Sequence, residues 1–337
     1  MKLRSVSEVL PKTRVVLRMD LDVPENDNSR LVKSLPTIKL LLEKECKIAI
    51  IGHRGRPEGK DEKLSLKSIY LELMTLLEPN GENFIESVFV DEVNDLQKLD
   101  LAMASNQIVF LENLRFWKGE ENNDPDFLKN LVEITQAYVN DAITVAHRKH
   151  RSIMLYKNLP GFYGLAFVEE IEKITKVLEQ PEKPLTIILG GAKEDKLSYL
   201  PELTKVADNV LVGGKLPLYK NDQFLISNDK LKIAKLREDT LDLSDEDIEN
   251  FKKIIQESKM IIWAGAMGYF EKEDCRKGTE EIAKAVANND GYKIIAGGDT
   301  GASIVNLGLS DKIDLIASGG GMMLELITKG KLPAWEN

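Results

Sequence analysis

Short aliphatic segments without polar interruptions alternate with amphipathic stretches along most of this chain. Strands are predicted at 14–19, 47–52, 107–111, 137–139, 185–189, 209–212, 260–263, 293–296 and 314–317. Helices are predicted between them at 36–45, 65–77, 124–136, 167–179, 245–258, 276–289 and 301–307. Strands that are apolar at successive positions are typical of parallel sheets covered by helices on both faces. The repeated strand–helix order therefore predicts parallel sheets with right-handed crossovers.

The chain is long enough for about two domains. A cluster of helix-breaking residues, Asn158-Leu159-Pro160-Gly161, follows the fourth or fifth predicted strand and indicates a boundary. We expect an N-terminal domain over 1–158 and a C-terminal domain over 159–324, with a tail at about 325–337 that packs back on the first. The predicted fold is α/β, with two doubly wound, Rossmann-like parallel-sheet domains joined by a hinge helix.

Composition narrows the classes of partner. The formal net charge is −9, which argues against nucleic acid or an anionic membrane, since both bind basic surfaces. The two cysteines, Cys46 and Cys275, lack the spacing of metal ligands and are expected to be buried free thiols. No apolar run reaches the ~18 residues of a membrane span. A cytoplasmic location is therefore expected.

Basic residues follow the predicted strands of the first half, at the edge where open parallel sheets bind their ligands. The basic candidates are Arg18, Arg30 (placed in the loop before the first helix), His53, Arg56, Arg115, His147, Arg148 and His150. Arginine binds carboxylates and phosphates through two parallel hydrogen bonds, so the set predicts a site for a small, multiply charged anion. The alternative is that exposed loops simply carry arginine. Arg54, Lys149 and Arg151 are expected to be ordinary solvated charges of this kind.

Glycines follow the predicted strands of the second half. They occur at 190–191, 213–214, 265 with 268, 297–298 and 319–321. Such turns allow backbone N–H groups to approach a phosphate chain, and the helices that follow present their N-termini to it. The P-loop motif, the protein-kinase motifs and the dinucleotide fingerprint are all absent from the sequence. The pattern indicates a nucleotide polyphosphate bound in a different way.

These segments resemble the phosphoglycerate kinase family. Arg18-Met-Asp-Leu-Asp-Val-Pro24 is similar to the family's R-x-D-x-N-V-P signature, and Gly52-His-Arg-Gly-Arg-Pro57, Leu111-Glu-Asn-Leu-Arg-Phe116 and Gly297-Gly-Asp-Thr300 recur in the family's order. The resemblance implies a cytoplasmic, monomeric, hinge-bending transferase of glycolysis. Its reaction would transfer a phosphoryl group between 1,3-bisphosphoglycerate with ADP and 3-phosphoglycerate with ATP, using Mg²⁺.

The resemblance also assigns roles to individual residues. The eight basic candidates of the first half would bind 3-phosphoglycerate together with Asp20 and Asp22. The nucleotide would be bound by Gly191, Lys193, Lys196, Gly213, Gly214, Glu271, Gly297, Gly298, Asp299 and Thr300, with Glu271 on the ribose and Asp299 on the metal. Both possible nucleophiles are already anionic at pH 7, so catalysis needs positioning and charge neutralisation rather than a general base. Arg30, Lys193 and Gly298 are the expected catalytic residues.

Three departures from the family leave alternatives open. Asp22 stands where the family has Asn, Lys193 and Lys196 are one residue closer together than usual, and a few dozen residues are missing between Gly214 and Trp263. The missing segment would include part of the adenine pocket. A catalytically impaired 3-phosphoglycerate-binding protein is therefore one alternative to an active kinase. A scaffold on a degraded enzyme fold is another, although the retained Arg and His set argues against it.

Overall fold

The computed structural model describes residues 3–23, 27–78, 84–219 and 228–335. The chain forms two compact units, of which the first comprises Met1–Lys173 with Pro333–Asn337 and the second comprises Ile174–Leu332. Each unit contains one six-stranded sheet. All strand pairings within the two sheets are parallel. The predicted α/β fold with two parallel sheets is therefore confirmed.

The sheet of the first unit has the order β3-β4-β2-β1-β5-β6. Its strands are β1 (Arg14–Met19), β2 (Lys47–Ile51), β3 (Ser87–Val90), β4 (Ile108–Leu111), β5 (Ala137–Asp141) and β6 (Gly161–Tyr163). Its helices are α1 (Ser29–Glu43), α2 (Lys67–Leu77), α3 (Leu96–Ser105), α4 (Lys118–Glu121) and α5 (Lys129–Glu133). Val15 and Leu17 of β1 belong to one apolar core and Val16 to another. Because side chains alternate along a strand, the sheet buries both faces.

The sheet of the second unit has the order β12-β11-β10-β7-β8-β9. Its strands are β7 (Leu185–Leu189), β8 (Asn209–Val212), β9 (Leu231–Ile233), β10 (Met260–Ala264), β11 (Tyr292–Ala296) and β12 (Leu315–Ala317). Its helices are α7 (Leu200–Val206), α8 (Asp245–Glu257), α9 (Lys277–Ala287), α10 (Gly298–Asn306) and α11 (Gly320–Lys329). All five residues of β7 and of β10 are buried, as their continuous apolar sequences predict.

The predicted helix at 36–45 is wrong at its start. The helix α1 begins at Ser29, whose backbone N–H donates to Asp27 Oδ1 at 2.9 Å, and Pro36 lies inside it. Proline removes a hydrogen bond from a helix interior but fits the first turn, which is why the sequence pattern placed the start there. Arg30 therefore lies in the first turn of α1 and not in the preceding loop.

The boundary between the units falls within α6 (Leu165–Glu179). It does not fall at residue 158 as the breaker cluster suggests, because β6 pairs with β5 and so continues the first sheet. The helix α11 belongs to the second unit, so the segment that returns to the first unit begins at Pro333 and not near 325. There Tyr163 Oη donates to the backbone oxygen of Ala334 at 2.9 Å.

Cys46 and Cys275 are both buried free thiols, as expected. None of the helices in the four described ranges is both long and apolar enough to span a lipid bilayer.

Candidate functional site

The candidate anion-binding residues of the first unit follow four adjacent strands. β4, β2, β1 and β5 stand side by side in the sheet and run parallel, so their C-terminal ends share one edge. The chain leaves β1 on one side for β2 and later enters β5 on the other side, which makes β1 and β5 the topological switch point. Open α/β sheets bind ligands at such points.

Arg30 is held by the loop that follows β1. Its Nη1 donates to Asp20 Oδ1 at 3.2 Å and to the backbone oxygen of Asp22 at 2.8 Å. The second carboxylate oxygen of Asp20 accepts a hydrogen bond from Thr144 Oγ1, in the loop after β5, at 2.5 Å. Asp20 therefore orients Arg30 and also ties the two loops of the switch point together.

Gly55 connects the loops after β1, β2 and β4. Its N–H donates to Asp22 Oδ1 at 2.8 Å, and its backbone oxygen accepts from Arg115 Nη1 at 2.6 Å. Gly55 has φ of +63°, a conformation that glycine adopts without strain. Asp22 thus uses its side chain as an acceptor, which the amide oxygen of the family's Asn could equally provide.

Arg18 is fully buried and lies against His53, whose Nδ1 is 2.6 Å from Arg18 Nη2. A guanidinium has no acceptor, so His53 Nδ1 must accept and the ring proton must sit on Nε2. Burial, followed by the charges of Arg18 and Arg115, holds the pKa of His53 well below its usual range. His53 is therefore a neutral donor through Nε2.

The positive charge of this edge comes from its arginines. Burial, then Arg148 and Arg115, lowers the pKa of His150 to about 3, so His150 is also neutral at pH 7. Burial, then the charge of Arg148, lowers the pKa of Arg115 to about 10, which still leaves it charged. A bound anion would offset the burial and the neighbouring positive charge that lower the pKa of Arg115.

The remaining candidates differ in exposure. Arg56 is exposed, whereas His147 and Arg148 are partly buried. The expectation that Arg151 is a solvated charge is wrong. It is buried, with Nε donating to the backbone oxygen of Phe127 at 3.0 Å and Nη1 to Asn158 Oδ1 at 2.9 Å. Arg151 is therefore a structural residue beneath the edge.

Three residues that contact this site were not predicted from the sequence. They are Thr144, Glu120 and Ser152, all of which bond to residues distant in the chain. Glu120 lies in α4 and is fully buried, and Ser152 is also fully buried. The sequence does not distinguish Glu120 from its neighbour Glu121, whereas the structure buries Glu120. A glutamate is rarely buried unless it has a partner.

In the second unit the glycine turns follow five adjacent strands, β12, β11, β10, β7 and β8. β7 and β10 form the switch point of this sheet, since the chain goes from β7 to β8 on one side and places β10 on the other. Gly265 has φ of +111°, and a Cβ there would lie 2.1 Å from the backbone oxygen of Gly190. A Cβ on Gly214 would lie 2.6 Å from Gly191 N. The glycines therefore allow neighbouring turns to pack against one another.

Most amides of these turns are already bonded within the protein. Gly191 N donates to Ala266 O at 2.7 Å, Gly213 N to Leu189 O at 2.9 Å, Gly214 N to Met267 O at 3.0 Å and Gly297 N to Ala317 O at 3.1 Å. The expectation that these glycines offer their N–H groups to phosphates is therefore wrong. What these glycines leave at the edge of the sheet is a surface without side chains.

The N-terminus of α10 is where amides remain for a phosphate group. The helix begins at Gly298, earlier than the predicted 301, and the first N–H groups of a helix have no partner within it. Gly298 and Asp299 are exposed, whereas Thr300 is buried and its Oγ1 accepts from Gly265 N at 2.8 Å. Gly298 and Asp299 are thus at the surface, and Thr300 supports the neighbouring turn.

Asp299 also fits the needs of Mg²⁺. This ion is commonly held by one or two carboxylates together with substrate phosphates. Within the described ranges no group of three His, Cys, Asp or Glu residues is arranged to bind a metal ion on its own. An exposed carboxylate in the first turn of α10 suits an ion that reaches the protein with its phosphates.

Lys193 and Lys196 have different environments. Lys193 is exposed and precedes a 3₁₀ helix at Glu194–Tyr199, and Lys196 lies within that helix. Lys196 Nζ donates to the backbone oxygens of Gly190 at 2.8 Å and Ala264 at 3.1 Å, and so links both strands of the switch point. Burial, then the charge of Lys193, lowers the pKa of Lys196 to about 8.

The rest of the predicted nucleotide region is shorter than the family's. Glu271 is exposed in the loop after β10. Between Gly214 and Trp263 the described residues contain the edge strand β9 and the helix α8, and residues 220–227 lie outside the described part. Pro24 of the first signature also lies outside it.

Comparisons with known proteins agree on one family. Residues 7–219 and 218–331 match the family model described as phosphoglycerate kinase. A phosphoglycerate kinase from Dictyoglomus turgidum is 34% identical over 381 residues, covering 97% of this chain and 95% of the relative. One from Thermosipho africanus is 32% identical, covering 95% and 93%.

Solved structures show the same similarity. The phosphoglycerate kinase structure from Coxiella burnetii superposes with a TM-score of 0.73 at 27% identity, covering 99% of this chain and 97% of that one. The structure from Pyrococcus horikoshii OT3 has a TM-score of 0.75 at 24% identity, with the same coverage, and supports the fold.

The comparisons also bear on the shortened segment. The alignment with the D. turgidum relative is 381 residues long, whereas this chain has 337, so the relative carries residues without a counterpart here. The family model matches in two pieces that meet at residues 218–219. This break lies inside the segment between Gly214 and Trp263 from which residues are missing.

Proposed function

Because the chain belongs to the phosphoglycerate kinase family and is a phosphotransferase of glycolysis, we propose that its first unit binds 3-phosphoglycerate and its second unit binds ADP or ATP with Mg²⁺. The reaction is phosphoryl transfer between 1,3-bisphosphoglycerate with ADP and 3-phosphoglycerate with ATP. The comparisons do not favour the non-catalytic alternatives.

The observation that carries the proposal is the buried cationic edge of the first unit. Burial, and then the charges of Arg18, Arg115 and Arg148, lower the pKa values of His53 and His150. Burial, and then the charge of Arg148, lower the pKa of Arg115. A dianionic phosphate and a carboxylate on one small molecule would neutralise this edge and accept bidentate hydrogen bonds. His53 supports such binding because it presents an N–H at Nε2 without adding a charge.

The chemistry follows from the groups that the chain provides. A carboxylate oxygen of 3-phosphoglycerate attacks the γ-phosphorus of ATP, the bond to the bridging oxygen breaks, and ADP leaves, so no proton needs to be removed. We assign Arg30 to neutralising charge on the transferring group and Lys193, which is exposed, to the nucleotide phosphates. The free amides at the start of α10, including that of Gly298, stabilise the same charge.

Asp299 is the residue assigned to Mg²⁺, which when bound neutralises phosphate charge during the transfer. Glu271 is assigned to the ribose. Since the segment after Gly214 is shortened, we expect the protein to discriminate weakly between ATP and GTP while it still binds the polyphosphate.

A coupled assay with 3-phosphoglycerate, Mg²⁺ and either ATP or GTP tests this function. Lys193→Ala should lower kcat by ~10²-fold, since removal of one charge-stabilising donor typically has this effect. Lys205→Ala serves as the matched control, because Lys205 is exposed on α7 and forms an ion pair with Glu202 at 2.6 Å. Absence of turnover by the unmodified chain with both nucleotides, despite measurable binding of 3-phosphoglycerate, would disprove the proposal.

A further inference from the structure

Both oxygens of the buried Glu120 carboxylate accept hydrogen bonds from Ser152, and Oε1 also lies 4.0 Å from Nδ1 of the neutral His150. Ser152 N donates to Glu120 Oε2 at 2.9 Å, and Ser152 Oγ donates to Glu120 Oε1 at 2.5 Å. Both residues are fully buried. The carboxylate therefore fixes the backbone and the hydroxyl of Ser152 together.

The hydroxyl of Ser152 transmits this constraint to Arg18. Since its proton points at Glu120, its lone pairs are left to accept from Arg18 Nε at 3.0 Å. The other two nitrogens of the guanidinium are also engaged, Nη1 with the backbone oxygen of Met19 and Nη2 with His53 Nδ1. A planar guanidinium held at all three nitrogens cannot turn without breaking several hydrogen bonds.

We propose that Glu120 and Ser152 are positioning residues, which hold Arg18 so that His53 keeps its proton on Nε2 and uses this N–H to donate a hydrogen bond to the anionic substrate. The inference rests on the proposed binding of 3-phosphoglycerate to the first unit. If Arg18 were released, His53 would also populate the tautomer with its proton on Nδ1. That tautomer would present a lone pair, rather than a donor, at Nε2.

A purely structural role for the same residues has different consequences. Glu120 would then only offset the charge of Arg18. Burial raises the pKa of Glu120, and the charge of Arg18 opposes that rise. Loss of Glu120 or Ser152 would lower stability, but the tautomer of His53 and the affinity for 3-phosphoglycerate would remain as they are. The two roles are therefore separable by spectroscopy and kinetics.

The test uses ¹⁵N NMR of the imidazole nitrogens together with steady-state kinetics. In the unmodified protein His53 should show a protonated Nε2 and an unprotonated Nδ1. Ser152→Ala and Glu120→Gln should bring the two ¹⁵N shifts closer together, as tautomers in exchange do. They should also raise KM for 3-phosphoglycerate by ~10-fold, since a hydrogen bond to a charged group is lost, while kcat and KM for ATP change less than twofold.

Ser152→Thr keeps the hydroxyl and should restore both the shifts and KM. Ser258→Ala and Glu325→Gln remove a buried hydroxyl and a buried carboxylate from the second unit and should change neither. If Ser152→Ala or Glu120→Gln does not fold, the His53 tautomer and the KM of the other variant decide between the two roles. Variants that keep the single Nε2–H tautomer and the original KM would overturn the inference.

The proposed function fails separately from this inference. If the unmodified protein neither binds 3-phosphoglycerate nor turns it over, the proposed function is wrong, whatever the ¹⁵N shifts show. If it binds and turns over the substrate while the network variants behave like it, the function stands and the positioning role of Glu120 and Ser152 is wrong.

Discussion

Arg30 and Asp20 form an ion pair in which Nη1 lies 3.2 Å from Oδ1. Asp20 uses its other oxygen to accept from Thr144, so one carboxylate orients the arginine and joins the loops after β1 and β5. Arg30 is consequently placed before any ligand arrives. Preorganised charge of this kind stabilises a transition state without reorganisation during the reaction.

Removal of the Arg30 guanidinium should lower kcat far more than it changes KM for ATP. We expect Arg30→Ala to reduce kcat by ~10²–10³-fold, the usual effect of losing a donor that stabilises developing charge. The coupled assay measures this. Arg54→Ala is the matched control, because among the described residues the Arg54 guanidinium bonds only to Ser68 Oγ, at a long 3.4 Å. Equal losses in the two variants would contradict a specific role for Arg30.

Asp22→Asn should strengthen binding of 3-phosphoglycerate. In the unmodified protein Gly55 N donates to Asp22 Oδ1 at 2.8 Å, and the amide oxygen of Asn can still accept this hydrogen bond. The substitution removes one negative charge near the anion. A charge interaction of ~1 kcal/mol through water corresponds to a ~3- to 10-fold decrease in KM. Asp22→Ala loses the acceptor as well and should lower the urea midpoint. An unchanged or higher KM in the Asn variant would count against this reading.

Gly265→Ala should destabilise the second unit by more than ~3 kcal/mol, since it adds a steric clash to an unfavourable φ. Its Cβ would meet the backbone oxygen of Gly190 at 2.1 Å and Lys196 Nζ at 2.6 Å. Urea unfolding measures the loss. Gly308→Ala, with φ of +66° and no atom within 4 Å, isolates the cost of φ, and Gly59→Ala, with open space around it, should be close to neutral. Similar losses for Gly265→Ala and Gly308→Ala would show that the close packing of the turns is unimportant.

Lys196 should make the stability of the protein depend on pH in the alkaline range. Burial lowers its pKa from 10.5 to about 8 in the folded protein. Between these values the unfolded chain still holds the proton that the folded one has released, so folding becomes more favourable as pH rises from 8 towards 10.5. The free energy of unfolding of the unmodified protein, relative to that of the Lys196→Met variant, should therefore increase by ~1–3 kcal/mol across this pH window.

The check is urea unfolding of both proteins at pH 7, 8, 9 and 10, read as the difference between them so that other titrating groups cancel. Lys196→Met also leaves the backbone oxygens of Gly190 and Ala264 without this donor, which should cost ~1–3 kcal/mol. A difference that stays constant or shrinks with rising pH would refute the lowered pKa.

The central strands could be predicted from sequence, whereas three of the four edge strands could not. All nine predicted strands are present, because strands covered on both faces must be apolar at successive positions. The unpredicted strands are β3, β6 and β9, all at sheet edges. β3 is mostly half-buried and β9 alternates between half-buried and exposed positions, so neither needs a continuous apolar segment. Edge strands are commonly short and polar, which removes the signal.

The residues of the site divide in a similar way. Residues directly after a central strand, such as Asp20 and His53, could be assigned to the edge because strand ends converge there. Ser152 and Thr144 could not, because their partners are 134 and 124 residues away and pair only once the loops have folded. Whether the glycine N–H groups donate to backbone carbonyls also depends on how the turns pack. Sequence motifs do not specify that packing.

The return of Pro333–Asn337 to the first unit has a consequence for how the chain unfolds. The second unit, Ile174–Leu332, is covalently attached to the first at both of its ends. If it unfolds while the first remains folded, it becomes a closed loop rather than a free tail. Loop closure lowers the entropy of such an unfolded segment, by an amount that grows only logarithmically with its length. The second unit should therefore be more stable within the intact chain than after cleavage beside Leu332.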